Sequence, residues 1–134
     1  MTATIPPEAY PMLDAAEFAT IATTNPNGYP QLSVVWVERD GNDLLVSTTK
    51  GRRKCLNMER DPRVTVLVYP KDDPYSYVEV RGHVRMTEEG GRELIDRLND
   101  QYTSTGRYTG DDGTDNVRVV CRITPVKVVT RLPH

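Results

Sequence analysis

Chemistry-bearing side chains are densest over residues 47–64, STTKGRRKCLNMERDPRV. Ser47, Thr48 and Thr49 supply hydroxyls and backbone N–H groups, Lys50 adds a cation, and Gly51 lets the backbone come close to a ligand. Arg52, Arg53 and Lys54 follow where a helix is predicted to begin. A helix N-terminus already carries partial positive charge, so three cations there are unfavourable unless an anion sits among them. Arginine suits bidentate contact with phosphate. The segment reads as a phosphate cradle. The competing reading is a solvated basic face whose charges pair with Glu59 and Asp61.

Aromatic side chains form a second set. Tyr75 stands at a strand start after a turn, where stacking on a flat heterocycle is open to it. Tyr77 and Trp36 read instead as strand residues, half-buried and core. His83 has Arg81 and Arg85 on either side at spacing two and reads as a surface or interface histidine. As a metal ligand it lacks partners, since His134 is the last residue. Cys55 lies beside the cations with no base partner in reach, and it and Cys121 lack metal-ligand spacing. Both read as buried or semi-buried reduced thiols. No Ser-His-Asp set, paired-carboxylate motif or GxGxxG is present. No metal site and no catalytic residue is assigned, so redox or transfer chemistry here would rest on a cofactor.

The elements that must position these groups follow from turn signals and alternation. FATIATT (18–24) alternates as a strand does, YPQLSVVWVERD (29–40) is a strand rich in Val and Trp, and LLVSTT (44–49) is the next, separated by the turns NPNG and DGND. They predict a three-stranded meander. A short helix over 52–61 carries Cys55, Leu56 and Met58. RVTVLVYP (63–70) is strand four. YSYVEVRGHVRMT (75–87) is a long strand with Ser76, Val78, Val80, Gly82, Val84 and Met86 on one face. Gly82 marks a bend or bulge, and Pro125 in the last strand (116–132) demands an edge position or a bulge. Leu94, Ile95, Leu98 and Tyr102 are at helical spacing over 88–102, and 103–115 reads as a polar, mobile loop. Pro11 limits any N-terminal helix over 7–17.

A chain of 134 residues with a net charge of −2 and 37% hydrophobic residues fits one domain spanning 1–134, with no general attraction to nucleic acid or membranes. The N-terminus lacks a signal-peptide pattern and no stretch approaches a membrane span, so a cytoplasmic location is expected. Six strands with short turns argue for a small antiparallel barrel, because closure removes exposed edges.

The run from Phe18 to Thr87 resembles the pyridoxamine-phosphate-oxidase-like split β-barrel proteins, nearest to the branch that uses coenzyme F420, a deazaflavin. The resemblance covers about residues 12–131 and is carried by ATTNPNGYPQLS, ST with GRRKCLN, RDPRV and YSYVEVRG, in order. It implies a mainly β fold, a six-stranded antiparallel split barrel with short helices, dimerising through its sheet. Two cofactor sites would lie at the dimer interface. The flat ring would lie near Ser33, Val35 and Trp36, and the phosphate would meet Ser47, Thr48, Thr49, Lys50, Arg52, Arg53 and Lys54. Tyr75 stands where relatives place an aromatic that closes over the ligand from the partner chain. Flavin-binding relatives use an Arg-Lys pair placed as Arg53 and Lys54 are, whereas deazaflavin relatives use a basic-x-Lys pattern, as in Arg52 and Lys54. The sequence carries both. The implied activity is an F420-dependent reductase acting on a quinone, enone or tetrapyrrole-type acceptor. The alternatives are an FMN-binding oxidase or reductase of the same fold, and a non-catalytic F420 carrier. Relatives that oxidise pyridoxamine phosphate carry a C-terminal substrate-binding segment without counterpart after Leu132, so vitamin B6 oxidation is not expected.

Overall fold

The structure, a computed structural model, describes residues 2–133; His134 lies outside the described residues. A 3₁₀ turn at Pro7–Ala9 runs into α1 (Tyr10–Leu13), with Pro11 in its first turn, where a missing N–H costs nothing. Then follow β1 (Ala19–Thr24), β2 (Pro30–Val35), β3 (Glu38–Asp40), β4 (Asp43–Thr49), α2 (Arg53–Arg60), β5 (Arg63–Val68), β6 (Tyr77–Thr87), α3 (Gly91–Thr103) and β7 (Arg118–Arg131). No described helix is long and apolar enough to cross a membrane.

The sheet is antiparallel throughout, in the order β2-β1-β5-β6-β7-β4-β3. Seven strands stand where six are expected, because 29–40 is not one strand. Its first half pairs with β1 and its second with β4, with a break at Trp36 and Val37. The two edges of the sheet are therefore successive pieces of one run of chain. This rolls the sheet into a split barrel whose seam is the Trp36–Val37 step.

Alternation fills the barrel. Ile21, Val35, Leu44, Val46, Val66, Val68, Val78, Val80, Val119, Cys121 and Ile123 form one buried cluster, closed at one end by Ile5, Met12 and Leu13. Met58 of α2 joins it, but Leu56 is exposed and Asn57 is buried in its place. The Asn57 amide donates to Thr23 Oγ1 at 3.0 Å and Asn25 Oδ1 at 3.1 Å, fastening α2 to the end of β1. A second cluster lies outside the barrel, where Leu94 and Leu98 of α3 cover Leu45 and Val120 beside Trp36 and Tyr102.

The bulges expected at Gly82 and at Pro125 are one and the same irregularity. The two residues face each other where the β6–β7 register slips, so that Arg81 opposes Lys127 and Val126 is the extra residue. A methyl group on Gly82 would collide with the Thr124 carbonyl oxygen and sit 2.9 Å from Ile123 Cγ2. The pairing of β7 with β4 stops at Ile123, and the Pro125 carbonyl accepts instead from Ala3 N–H at 2.9 Å.

Candidate functional site: a cationic cavity beside the barrel seam

Three consecutive residues at the seam, Val34, Val35 (its side chain packed in the barrel core) and Trp36, border a cavity of about 260 Å³. Ser47 from β4, Arg118 from β7, Arg52 and Lys54 from the start of α2, Ile95 and Leu98 from α3, Phe18 and Tyr108 complete it. The site lies where the outer wall of the barrel meets α3, α2 and the 103–115 loop.

Trp36 is held as a flat surface. Its ring lies 5.3 Å from the Tyr102 ring with 17° between their planes. Tyr102 is fixed in turn by its hydroxyl, which accepts from Val37 N–H at 3.0 Å and donates to the Glu17 carbonyl at 2.7 Å. Burial pushes that phenol's pKa up, so it remains a donor. Tyr102 thus ties α3 to the seam and to the entry of β1.

Cations are the second feature. Arg52 caps α2 with extended backbone, and no side chain caps the helix and no acid occupies its first turn. Glu59 and Asp61, the expected partners of the basic run, are engaged elsewhere. Glu59 accepts the Cys55 thiol at 3.3 Å, and Asp61 forms a two-pronged pair with Arg63 that holds its carboxyl at about 2. Lys54 and Arg52 have no ion-pair partner among the described residues. The other unpaired described cations are exposed, but Lys54 is half-buried. Its pKa is lowered, first by burial and then by the charge of Arg52.

Arg118 is the third cation. Its Nε lies 2.7 Å from Asp111 Oδ2 and its Nη2 3.1 Å from Asp111 Oδ1. Nη1 reaches Ser47 Oγ at 3.3 Å, and the guanidinium carbon sits 4.9 Å from the Tyr108 ring centre. Asp111 also accepts from Arg92 at 2.8 Å and Asn116 at 2.9 Å, and the Arg118 pair first, with these two donors behind it, holds its carboxyl well below the usual range. The 103–115 loop, read as mobile, is anchored through this buried carboxylate, and Asp112 is paired with Arg107.

Of the residues named from sequence, the cavity gathers Val35, Trp36, Ser47, Arg52 and Lys54. Ser33 pairs with Ile21 in the ladder and accepts from Gln31 at 3.0 Å, away from the lining. Thr48 and Thr49 are buried, and the Thr48 hydroxyl, on the barrel-core side of β4, has no partner there. Lys50 pairs with Glu88. Arg53 is exposed and does not line the cavity, so Arg52 and Lys54, and not Arg53 and Lys54, are the cations that share it. Gly51 is required by its left-handed backbone, φ +89°, and a Cβ there would meet nothing. Tyr75 is 78% exposed and outside the lining. His83 is exposed, and Cys55 and Cys121 are buried free thiols. Burial pushes the Cys121 thiol up to about 12.

Arg118, Tyr108, Phe18, Val34, Ile95 and Leu98 were not anticipated. Arg118 reaches the site because Thr49 pairs with it across β4 and β7, a contact between residues far apart in sequence. Local alternation carries no trace of that pairing.

The antiparallel sheet, closed at a seam beside an aromatic-walled, cationic cavity, places the chain in the split-barrel class. The chain belongs to the pyridoxamine 5'-phosphate oxidase family, whose model matches residues 5–131. A solved structure named F420 reductase aligns with a TM-score of 0.81 at 29% identity, over 93% of this chain and 98% of that one. A conserved hypothetical protein from Mycobacterium tuberculosis aligns with a TM-score of 0.78 at 25% identity, over 99% and 91%. General stress protein 26 from Bacillus anthracis shares the fold, with a TM-score of 0.72 at 20% identity over 95% and 93%.

Proposed function

We propose that the protein is an F420-dependent reductase that works as a homodimer. When bound, the deazaflavin supplies hydride transfer to an electron-poor organic acceptor of quinone, enone or tetrapyrrole type. The observation that carries this reading is the convergence of Arg52 and half-buried Lys54, both without carboxylate partners, on the cavity walled by Trp36. Two uncompensated cations beside an uncapped helix start fit a phosphate group, and a flat aromatic wall next to them fits a planar ring. The choice of Arg52 with Lys54 over Arg53 with Lys54 supports the deazaflavin over FMN, and the similarity to a protein named F420 reductase supports it further.

In this reading Arg52, Lys54 and Ser47 bind the phosphate, while Trp36, Val34 and Val35 orient the ring. Ile95, Leu98 and Phe18 exclude water from it. No residue of the lining is assigned as a proton donor. The second chain would sit on the apolar surface next to the cavity. Phe18 and Val34 line the cavity and also a neighbouring pocket with Thr20 and Tyr69, and Leu32 is exposed on the same strand. A partner there reaches the ligand, which is where a role for Tyr75 of the second chain belongs.

The test is titration of the purified protein with F420 and separately with FMN, following quenching of Trp36, the sole tryptophan. Micromolar or tighter F420 binding with weak FMN binding is expected. Preference for FMN would move the protein to flavin chemistry. Tight F420 binding without turnover of any acceptor would make it a carrier.

A further inference from the structure

Arg118 stands apart from the other cations of the cavity because its geometry is set on two sides. Its side chain is 9% exposed. Two of its three nitrogens, Nε and Nη2, are taken by the Asp111 carboxylate, 4% exposed. The third, Nη1, is left facing Ser47 on the cavity wall, where its 3.3 Å contact is long for a charged donor. One face of the guanidinium is covered by Tyr108. An arginine clamped in this way presents a fixed N–H donor without the rotamer entropy that a free arginine loses on binding. Asp111 is itself over-supplied with donors, since Arg92 and Asn116 hold it from the other side. The carboxylate therefore stays with the loop while one arginine edge remains available.

We propose that Arg118 is a further ligand-binding residue of this cavity, donating through Nη1 to the same anionic group as Arg52 and Lys54, and that Asp111 of the 103–115 loop is the residue that positions it. The proposal rests on the reading of the cavity as a phosphate site and adds to it a third contact and the element that controls it. Arg52, Lys54 and Arg118 outnumber the one carboxylate at Asp111, which Arg92 shares as well, so the cavity keeps a positive excess for an anionic group. The loop so becomes part of the binding site, although its acids alone would repel an anion.

The test compares Arg118→Gln, Arg118→Lys, Asp111→Asn and Lys54→Ala with the unaltered protein. Each is titrated with F420 and with its deazariboflavin core, which lacks the phosphate and the acidic tail attached through it, and with FMN and riboflavin, a pair that differs in the phosphate alone and so separates the two contributions. The readout is the ratio of affinities within a pair, which a general loss of fold would not change selectively. Arg118→Gln is expected to lower affinity for the phosphate-bearing member about ten- to a hundredfold and leave the phosphate-free member unchanged. Arg118→Lys keeps the charge and loses the fixed edge, so it recovers only part of the ratio. Asp111→Asn is expected to lower the ratio as well. A higher ratio in Asp111→Asn would mean that Asp111 only neutralises the site, and would overturn its positioning role. An unchanged ratio in Arg118→Gln with a reduced one in Lys54→Ala would overturn the Arg118 contact and leave the phosphate site standing. No binding by the unaltered protein would remove the phosphate site and the proposal together.

Discussion

Lys54 is held at a disadvantage in the free protein. It is half-buried beside Arg52 without a carboxylate, and its pKa is lowered from 10.5 for that reason. The folded value lies below the unfolded one, so the charged form destabilises the fold at all pH below the folded pKa, and the cost is relieved as pH rises beyond it. An anion in the cavity reverses this. Lys54→Ala is therefore expected to weaken F420 binding about ten- to a hundredfold without lowering Tm, a combination that calorimetry and a thermal melt check together. Binding to the unaltered protein should also weaken as pH rises through the lowered Lys54 value, on the alkaline side and below 10.5. A flat pH profile up to 10.5 would count against Lys54 as a phosphate contact. The sequence marks Lys54 and Arg52 by type and place, because a cluster of cations at a helix start is a local signal. It does not mark Arg118, whose partner in the site is supplied by strand pairing between β4 and β7.

At the scale of elements, α3 and the 103–115 loop decide how well the site is built. Tyr102 joins α3 to the seam at Val37 and to the entry of β1 at Glu17 with one hydroxyl. Tyr102→Phe leaves the Val37 N–H without its acceptor and is expected to cost about 1–2 kcal/mol in denaturant unfolding, with a shift in Trp36 emission from the lost anchor. Asp111→Ala leaves Arg118 buried without a carboxylate and is expected to cost about 3 kcal/mol, with faster amide exchange over 105–116. The pH dependence of this pair has a definite sign. The Asp111 carboxyl is depressed in the fold, so its contribution is present above the ordinary 3.8 and is lost as pH falls below it. A thermal melt in that acid range should show the loss, and Asp111→Asn should flatten it. The helical spacing of Leu94, Ile95, Leu98 and Tyr102 gives α3 from sequence alone. The loop looks mobile there, since a single buried aspartate among many polar residues has no local signature and its partners Arg92 and Arg118 lie on separate elements.

For the whole molecule, the exposed apolar surface at Leu32, Val34 and Phe18 is the feature that a lone chain does not explain. Val34→Asp is expected to convert a species of twice 15.1 kDa into a monomer in light scattering and to lower ligand affinity in parallel, because Val34 borders both the surface and the cavity. Loss of the dimer with full affinity would separate the interface from the site. The division of 29–40 into two strands is hidden in the sequence for a related reason. The apolar run VVWV (34–37) carries no turn signal, and only the three-dimensional closure of the sheet shows that the chain changes partners at Trp36. That change of partners also constrains the length of the chain. Because side chains alternate with period two, one residue inserted between Trp36 and Val37 would turn either β2 or β3 inside out. It would also displace Trp36 from Tyr102. An insertion in the turn at 26–28 alters neither register. Insertion tolerance along residues 25–45 should therefore be as low at the seam as within β2, β3 and β4, and be kept only in the turns at 25–29 and 41–42.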